Sequence, residues 1–193
     1  MIERIAFVPS APFLLFGKGP EDLTVAIAAA VGALPGHVTV LGDAAPGVHH
    51  GTVDRTLFGD RSQPSRDPLP LPLAVGTTLL GDRPHTLVGP GTELSGSVLV
   101  VADGTAKRTE KAPGHFDARA EAFDDAVDAA LRGGEPDALL ALDPVLAADL
   151  WVGGLAAWRE LAVQATGPWR AELLYAGEPY GVHYAVATWV RPT

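Results

Sequence analysis

The apolar run Val98-Leu99-Val100-Val101 is the feature that most constrains how this chain can fold. It ends abruptly at Ala102-Asp103-Gly104, and a polar segment follows at once. A short, continuous apolar run bounded in this way is typical of a strand that is buried on both faces of a parallel sheet. In such sheets, binding sites lie beyond the carboxyl ends of the strands. We therefore expect the loop after Ala102 to carry a site.

The rest of the chain alternates between strand and helix patterns. Runs of β-branched and apolar residues predict strands at residues 2–9, 37–41, 85–88, 97–102, 170–175 and 182–190. Apolar residues spaced by three or four predict helices that begin near Pro20, Phe116, Pro136 and Asp143. Residues 71–80 fit a short helix or a strand, and the spacing of Leu73, Thr77 and Leu80 favours the helix. We expect the helix from Asp143 to continue to Gln164, with Gly153-Gly154 inside it. This alternation predicts an α/β fold with a central mixed sheet flanked by helices.

Length and composition limit the classes of protein that remain. The 193 residues suffice for one core, and no linker divides them, so residues 1–193 are predicted to form a single domain. No apolar run approaches the roughly 20 residues of a membrane span, and the start lacks a signal-peptide pattern, so we expect a cytoplasmic protein. The net charge of −9 argues against a nucleic-acid partner. Without cysteine, disulfides and thiolate metal sites are excluded.

Two carboxylates occupy equivalent positions after predicted strands. Asp43 and Asp103 each follow an apolar strand by one or two residues. Such a pair can bind a cation or supply a base and an orienting group, and it can equally cap the backbone amides of its own turns. Lys107, Arg108 and Lys111 form a small basic patch that suits a carboxylate or phosphate, with ion pairs to neighbouring acids as the alternative.

Histidines are the natural candidates for metal ligands. None of the six has the i,i+4 spacing of helical ligand pairs, and the adjacent His49 and His50 point apart. Surface imidazoles are one interpretation. The other is that His49 and His50, in the long loop after the second strand, and His115, after the central strand, bind a divalent ion.

Several segments together resemble a known family. They are FVPSAPFLL, VVADGTAKR, APGHFDARAEAFDDAV, ALLALDPVLAADLWVGGLAAWREL and LLYAGEPYGVHYAVATW. In this order they resemble the catalytic subunit of class III extradiol ring-cleavage dioxygenases, the LigB-like superfamily, and look closest to its small actinobacterial-type members. The resemblance covers most of the chain and is thin between residues 52 and 96.

The resemblance implies an α/β fold in which two histidines and a glutamate hold iron and another histidine acts as acid and base. Transferred position by position, the first ligand falls on Ser10 and the second near Asp43 to Pro46. The acid/base histidine falls at or near Lys107, and the glutamate falls around Val152. None of these side chains replaces the two-histidine, one-carboxylate set that Fe(II) prefers. The resemblance therefore implies a relative that has lost the iron ligands.

We accordingly expect a metal-free, non-catalytic homologue without a cofactor that binds a small anionic or aromatic molecule in a strand-end pocket. The residues expected to contact this molecule are Ser10, Asp43, His49, Asp103 and Lys107.

Two other functions are left open by the sequence. One is a metal-dependent oxidoreductase or hydrolase with a relocated site, in which His49, His50, Asp43 and His115 bind iron or another divalent metal. The other is a structural homo-oligomer with Trp151, Trp158 and Trp169 at its interface, although we expect at least two of these tryptophans in the core.

Overall fold

The computed structural model describes residues 1–61 and 64–192. The strands are β1 (Ile2–Val8), β2 (Val38–Gly42), β3 (Val48–His49), β4 (His85–Val88), β5 (Gly96–Val101), β6 (Arg170–Gly177) and β7 (Tyr184–Val190). The helices are α1 (Glu21–Gly32), α2 (Leu71–Leu80), α3 (Ala120–Gly133), α4 (Pro136–Leu140), α5 (Pro144–Asp149) and α6 (Leu155–Gln164), with short 3-10 helices at Pro12–Phe16 and Thr56–Phe58. None of the helices in the described part of the chain has the length and apolar character of a membrane span.

One mixed sheet forms the centre of the molecule, with strand order β3-β4-β2-β5-β1-β7-β6. Strands β4, β2, β5 and β1 run parallel, whereas β3, β7 and β6 are antiparallel to their neighbours. Val101 of β5 pairs with Val8 of β1 on one side and with Gly42 of β2 on the other. The carboxyl ends of these three strands are therefore level, and the residues that follow them meet at one edge.

Helices cover both faces of the sheet and create two apolar layers. Alternate side chains of β5 enter opposite layers, with Val98 and Val100 on the side of α3 to α6 and Leu99 and Val101 on the side of α1 and α2. All four are fully buried. The α/β fold with a central mixed sheet is therefore confirmed, as is burial of the apolar run on both faces.

The chain leaves β1 and β5 in opposite directions. From β1 it passes through α1 to β2 and through α2 to β4, whereas from β5 it passes through α3 to α6 and returns in β6 and β7. In open α/β sheets, such a divergence between neighbouring strands opens a crevice at their carboxyl ends. This crevice lies between the residues that follow Val8 and Val101.

Local sequence signals account for several element boundaries. Helix α2 has the predicted bounds. Asp143 is the N-cap of α5, where its side chain accepts hydrogen bonds from the amides of Val145 and Leu146 at 2.8 and 3.2 Å. Pro144 occupies the first turn, as proline does when its missing amide hydrogen is not needed.

Three boundary predictions were wrong. The helix predicted from Asp143 to Gln164 is split into α5 and α6, because Trp151 has a left-handed φ of 57° and Gly154 packs against Ala102. Helix α3 begins at Ala120, so Phe116 precedes it and is exposed. The loop predicted after β2 contains β3, whose two residues are too short to give a sequence pattern.

Candidate strand-end site

Ser10 and Asp103 form a hydrogen-bonded pair at the crevice between β1 and β5. The Ser10 amide donates to Oδ1 of Asp103 at 2.8 Å, and the Ser10 hydroxyl donates to Oδ2 at 2.6 Å. Ser10 is buried. The Asp103 carboxyl therefore joins two strand ends, instead of capping its own turn as one interpretation of the sequence suggested.

Burial sets the protonation behaviour of this pair. It raises the pKa of Asp103 to about 6, against the opposing effects of the Ser10 hydrogen bonds and the charge of His183. A carboxyl group with such a pKa exchanges its proton near neutral pH, which is the property required of a general acid or base.

Segment 150–154, between α5 and α6, lies directly over this strand end. The amide of Ala106 donates to the carbonyl of Leu150 at 3.1 Å. A Cβ added to Gly153 would lie 3.5 Å from Cβ of Asp103, and one added to Gly154 would lie only 2.3 Å from Cβ of Ala102. Gly154 thus allows the segment to approach β5 closely, whereas a Cβ on Gly153 would make an ordinary van der Waals contact.

A cavity of about 550 Å³ adjoins segment 150–154. It is bordered by Asp43 from the end of β2 and by residues of α4, α5 and α6 and the turns between them: Leu140, Pro144, Ala147, Ala148, Val152, Leu155, Ala156, Arg159, Glu160 and Val163. Most of this lining is apolar. Partial burial raises the pKa of Asp43. Arg159 donates from Nη1 to the carbonyls of Leu140 and Leu142 at 3.0 and 3.4 Å, so its charge is held at the wall.

Lys107 lies against the same segment from the loop after β5. Its Nζ is 5.5 Å from the centre of the Trp151 ring, within the range of a cation–π contact. Trp151 is 56% exposed, whereas Trp158 and Trp169 are buried. The expectation that at least two of these tryptophans lie in the core is therefore confirmed, and an interface at Trp151 stays a prediction.

Arg108 forms ion pairs with acids other than its nearest neighbours in sequence. It pairs with Asp124 at 3.3 Å, Glu178 at 3.6 Å and Glu121 at 3.9 Å. The patch predicted from Lys107, Arg108 and Lys111 is thus divided, because Arg108 faces α3 and the β6–β7 turn. Its charge is already balanced by carboxylates.

His49 lies at another part of the sheet, since β4, β2 and β5 separate its strand from β1. Its Nε2 is 2.7 Å from the carbonyl oxygen of Ala45. His49, His50 and His85 line a separate cavity of about 400 Å³.

His115 is engaged within its own loop. Its Nδ1 is 2.8 Å from the carbonyl oxygen of Glu110, and its Nε2 is 3.3 Å from that residue's carboxylate. Across residues 1–61 and 64–192, no three His, Asp or Glu side chains are grouped so as to hold a metal ion. The relocated metal site stays a prediction.

His183 is the residue at this edge that the sequence analysis missed. It lies just before β7, and its backbone amide donates to Thr105 at 2.8 Å while its carbonyl accepts from Gly104 at 2.9 Å. Its buried ring lies 3.6 Å from Asp124 and 3.2 Å from Asp128. The position of Asp124, four residues after Ala120 on the apolar stripe of α3, was the available signal for a buried carboxylate that needs a partner.

Comparisons with family models and with curated proteins found no match for this chain. Among solved structures, an uncharacterised protein from Escherichia coli K12 is similar to it, with 14% sequence identity and a TM-score of 0.48. That alignment covers 98% of this chain and 100% of the other.

Proposed function

We propose that this chain is a non-catalytic relative of the class III extradiol dioxygenases that binds a small aromatic or anionic molecule at the strand-end site. The observation that carries the proposal is the contiguity of the positions at which the resemblance expects the family's functional residues. The Ser10 hydroxyl donates a hydrogen bond to Asp103 at the end of β5, segment 150–154 lies over the same strand end, and Val152 of that segment borders a cavity with Asp43.

The side chains at these positions do not fit the ligand set of the family's iron. Ser10 offers a hydroxyl that is already donated to Asp103, and Val152 offers no donor atom. Asp43 and Asp103 are carboxylates, whereas the expected set has two imidazoles and one carboxylate. The proposal therefore concerns binding and includes no step at a metal.

The cavity beside segment 150–154 suits a small ring with one polar substituent. Its volume of about 550 Å³ lies within the range of ligand pockets, and such pockets are mostly apolar with a few polar groups. An aromatic ring would pack against Val152 and Leu155. A phenolic hydroxyl would donate to Asp43, and a carboxylate would be attracted to Arg159. This range of substituents is why both aromatic and anionic molecules belong to the proposal.

Thermal-shift and calorimetric titration with phenol, benzoate and 4-hydroxybenzoate tests the proposal. We expect saturable stabilisation by at least one of these probes. An Ala156→Phe substitution would fill the cavity and weaken binding by at least about tenfold, a loss of about 1.4 kcal/mol. Ala28→Phe, on the exposed side of α1 and beside a different groove, is the matched control and should bind as the wild type does.

Three results would count against the proposal. A flat response to all three probes would leave the site without a ligand of the proposed chemistry. Unchanged affinity in Ala156→Phe would show that the probe binds outside this cavity. A stoichiometric transition metal in protein purified without a histidine tag, lost in His49→Ala, would favour the relocated metal site.

A further inference from the structure

Four ionisable side chains are enclosed together behind the strand-end site. The exposed fractions of the Arg108, Asp124, Asp128 and His183 side chains are 13%, 1%, 15% and 3%. Arg108 Nη1 is 3.3 Å from Asp124 Oδ2. The His183 ring lies between the two carboxylates, with Nδ1 3.6 Å from Asp124 Oδ1 and Nε2 3.2 Å from Asp128 Oδ1.

The position of the ring favours a proton on both nitrogens. Each nitrogen faces a carboxylate oxygen, yet among the described residues neither nitrogen, nor Oδ1 of Asp128, has an aligned hydrogen-bond partner. A neutral imidazole carries one N–H and one lone pair, so it would direct the lone pair at a carboxylate. The imidazolium presents N–H groups to both.

Charge balance leads to the same state. With an imidazolium, Arg108 and His183 match Asp124 and Asp128, and the cluster is neutral. With a neutral ring, Arg108 alone faces the two carboxylates. Burial raises the pKa of Asp124, so the cluster then holds either an excess buried negative charge, which is destabilising, or a proton on Asp124.

The cluster holds the loop that follows β5, which we call the site loop (residues 104–117). Asp124 accepts from the amide and the hydroxyl of Thr105 at 3.0 and 2.7 Å. A Cβ on Gly104 would lie 2.4 Å from Nδ1 of His183, so only glycine lets the loop lie this close. The amide of Arg108 donates to the carbonyl of Gly181 at 3.0 Å.

The charges around His183 come from each element packed on it. Helix α3 contributes Asp124 and Asp128, and the β5 end and site loop contribute Asp103 and Arg108. Glu121 on α3 and Glu178 in the β6–β7 turn form ion pairs with Arg108 and so also act on the cluster. Burial lowers the pKa of His183, but the two α3 carboxylates outweigh burial and Arg108, so the pKa is raised above its ordinary value.

We propose that His183 is a proton-operated latch for the site loop. Its imidazolium holds Asp124 and Asp128 together and keeps the loop docked on α3. Loss of the proton leaves an unbalanced carboxylate in the cluster, and the loop detaches. The loop carries Lys107, so its release removes this side chain from the ring of Trp151. The latch operates in the full chain without any ligand.

Amide hydrogen exchange measured by NMR on the full chain, corrected for the intrinsic pH dependence of exchange, tests the latch. The amides of Thr105 and Arg108 report on the site loop, and the amide of Ala102, which donates to Val8 at 2.9 Å, is the reference. We expect protection of the two loop amides to fall at least about tenfold between about pH 6 and pH 9, with a midpoint above about 6.5. Protection of Ala102 should stay constant.

Two variants separate His183 from other titrating groups. His183→Gln, which has no ionisable ring, should show low loop protection at every pH. His115→Gln alters a 72% exposed histidine in the same loop and should keep the wild-type titration. Constant loop protection in the wild type, or an unchanged pH dependence in His183→Gln, would overturn the latch.

Asp128→Asn provides a second test if His183→Gln does not fold. Removal of the Asp128 carboxylate removes one of the two negative charges that stabilise the imidazolium, so the midpoint of the loop titration should move to lower pH. An unchanged midpoint would also overturn the latch.

Discussion

At the scale of single residues, Asp103 combines two opposing properties. Its carboxyl accepts two hydrogen bonds from Ser10, which favour the ionised form, and it is buried, which disfavours that form. Burial is the larger effect and raises the pKa of Asp103 to about 6. The folded chain therefore binds the proton of Asp103 more tightly than the unfolded chain does.

This balance predicts how stability depends on pH. Because the pKa of Asp103 is raised in the folded chain, its contribution is complete below about pH 4, the range of an unfolded aspartate, and is lost as the pH rises through about 6. We expect the unfolding free energy of the wild type, relative to Asp103→Asn, to fall by as much as about 3 kcal/mol between about pH 4 and pH 7. Urea denaturation across that range measures the difference, and a constant difference would contradict it.

Asp117 is a control residue, because its pKa is shifted in the opposite direction to that of Asp103. Hydrogen bonds from Arg119 lower the pKa of Asp117 to about 2. Its contribution is therefore present above about pH 4 and is lost as the pH falls through about 2. The wild type, compared with Asp117→Asn, should lose stability on acidification, which the same urea titrations extended to acid detect.

At the scale of elements, Gly76 decides how α2 meets the sheet. A Cβ there would lie 2.4 Å from Cγ1 of Val40 in β2, a stiff and fully buried side chain. Gly32, in α1, has no atom within 4 Å of such a Cβ. The same substitution is therefore expected to have opposite effects in the two helices.

Gly76→Ala should destabilise the chain by about 1–3 kcal/mol, since overpacking outweighs the gain of about 1 kcal/mol in helix propensity. Gly32→Ala should be neutral or stabilise by up to about 1 kcal/mol. Urea denaturation of both variants measures the two changes. Equal effects at the two positions would show that α2 does not depend on this close approach.

The N-cap of α5 is a second element-scale prediction. Asp143→Ala removes the acceptor for two backbone amides and should cost about 1 kcal/mol of unfolding free energy. Asp149→Ala removes only an exposed ion pair with Arg119 and should cost less than about 0.5 kcal/mol. Chemical denaturation of the two variants side by side tests the difference, and equal losses would argue against the cap.

At the scale of the whole molecule, the sheet separates two apolar layers that differ in their tryptophan content. Trp158, Trp169 and Trp189 belong to the layer under α3 to α6, and the layer under α1 and α2 contains no tryptophan among the described residues. Apart from the exposed Trp151, tryptophan fluorescence therefore reports on one layer, whereas far-ultraviolet circular dichroism reports on the whole fold.

Leu73→Ala, in the layer without tryptophan, tests whether the two layers unfold together. Leu73 is fully buried, so the substitution should cost about 2–5 kcal/mol. Because both layers share the same strands, we expect the fluorescence and dichroism midpoints in urea to fall by the same amount. A fluorescence midpoint that stays at its wild-type value would show that the layers unfold separately.

The sequence by itself determined the elements whose signals are local. The apolar run before Asp103, the helical spacing from Leu71 and the cap at Asp143 depend on neighbours within a few residues, and the structure has each of them. The alternation of these elements was enough to predict an α/β fold. It also placed Asp43 and Asp103 after strands, because the end of an apolar run can be recognised without any tertiary contact.

Only the tertiary structure decided which distant residues share the site. Ser10 and Asp103 meet because β1 pairs with β5 across 93 positions of sequence, and His183 reaches α3 because β7 returns beside β1. The same packing broke the predicted long helix at Trp151, where close approach to β5 outweighed local helical spacing. Helical and strand periodicities extend over a few residues and can be read from the sequence. Strand order instead depends on how the two layers bury their apolar faces, which the spacing of residues along the chain does not reveal.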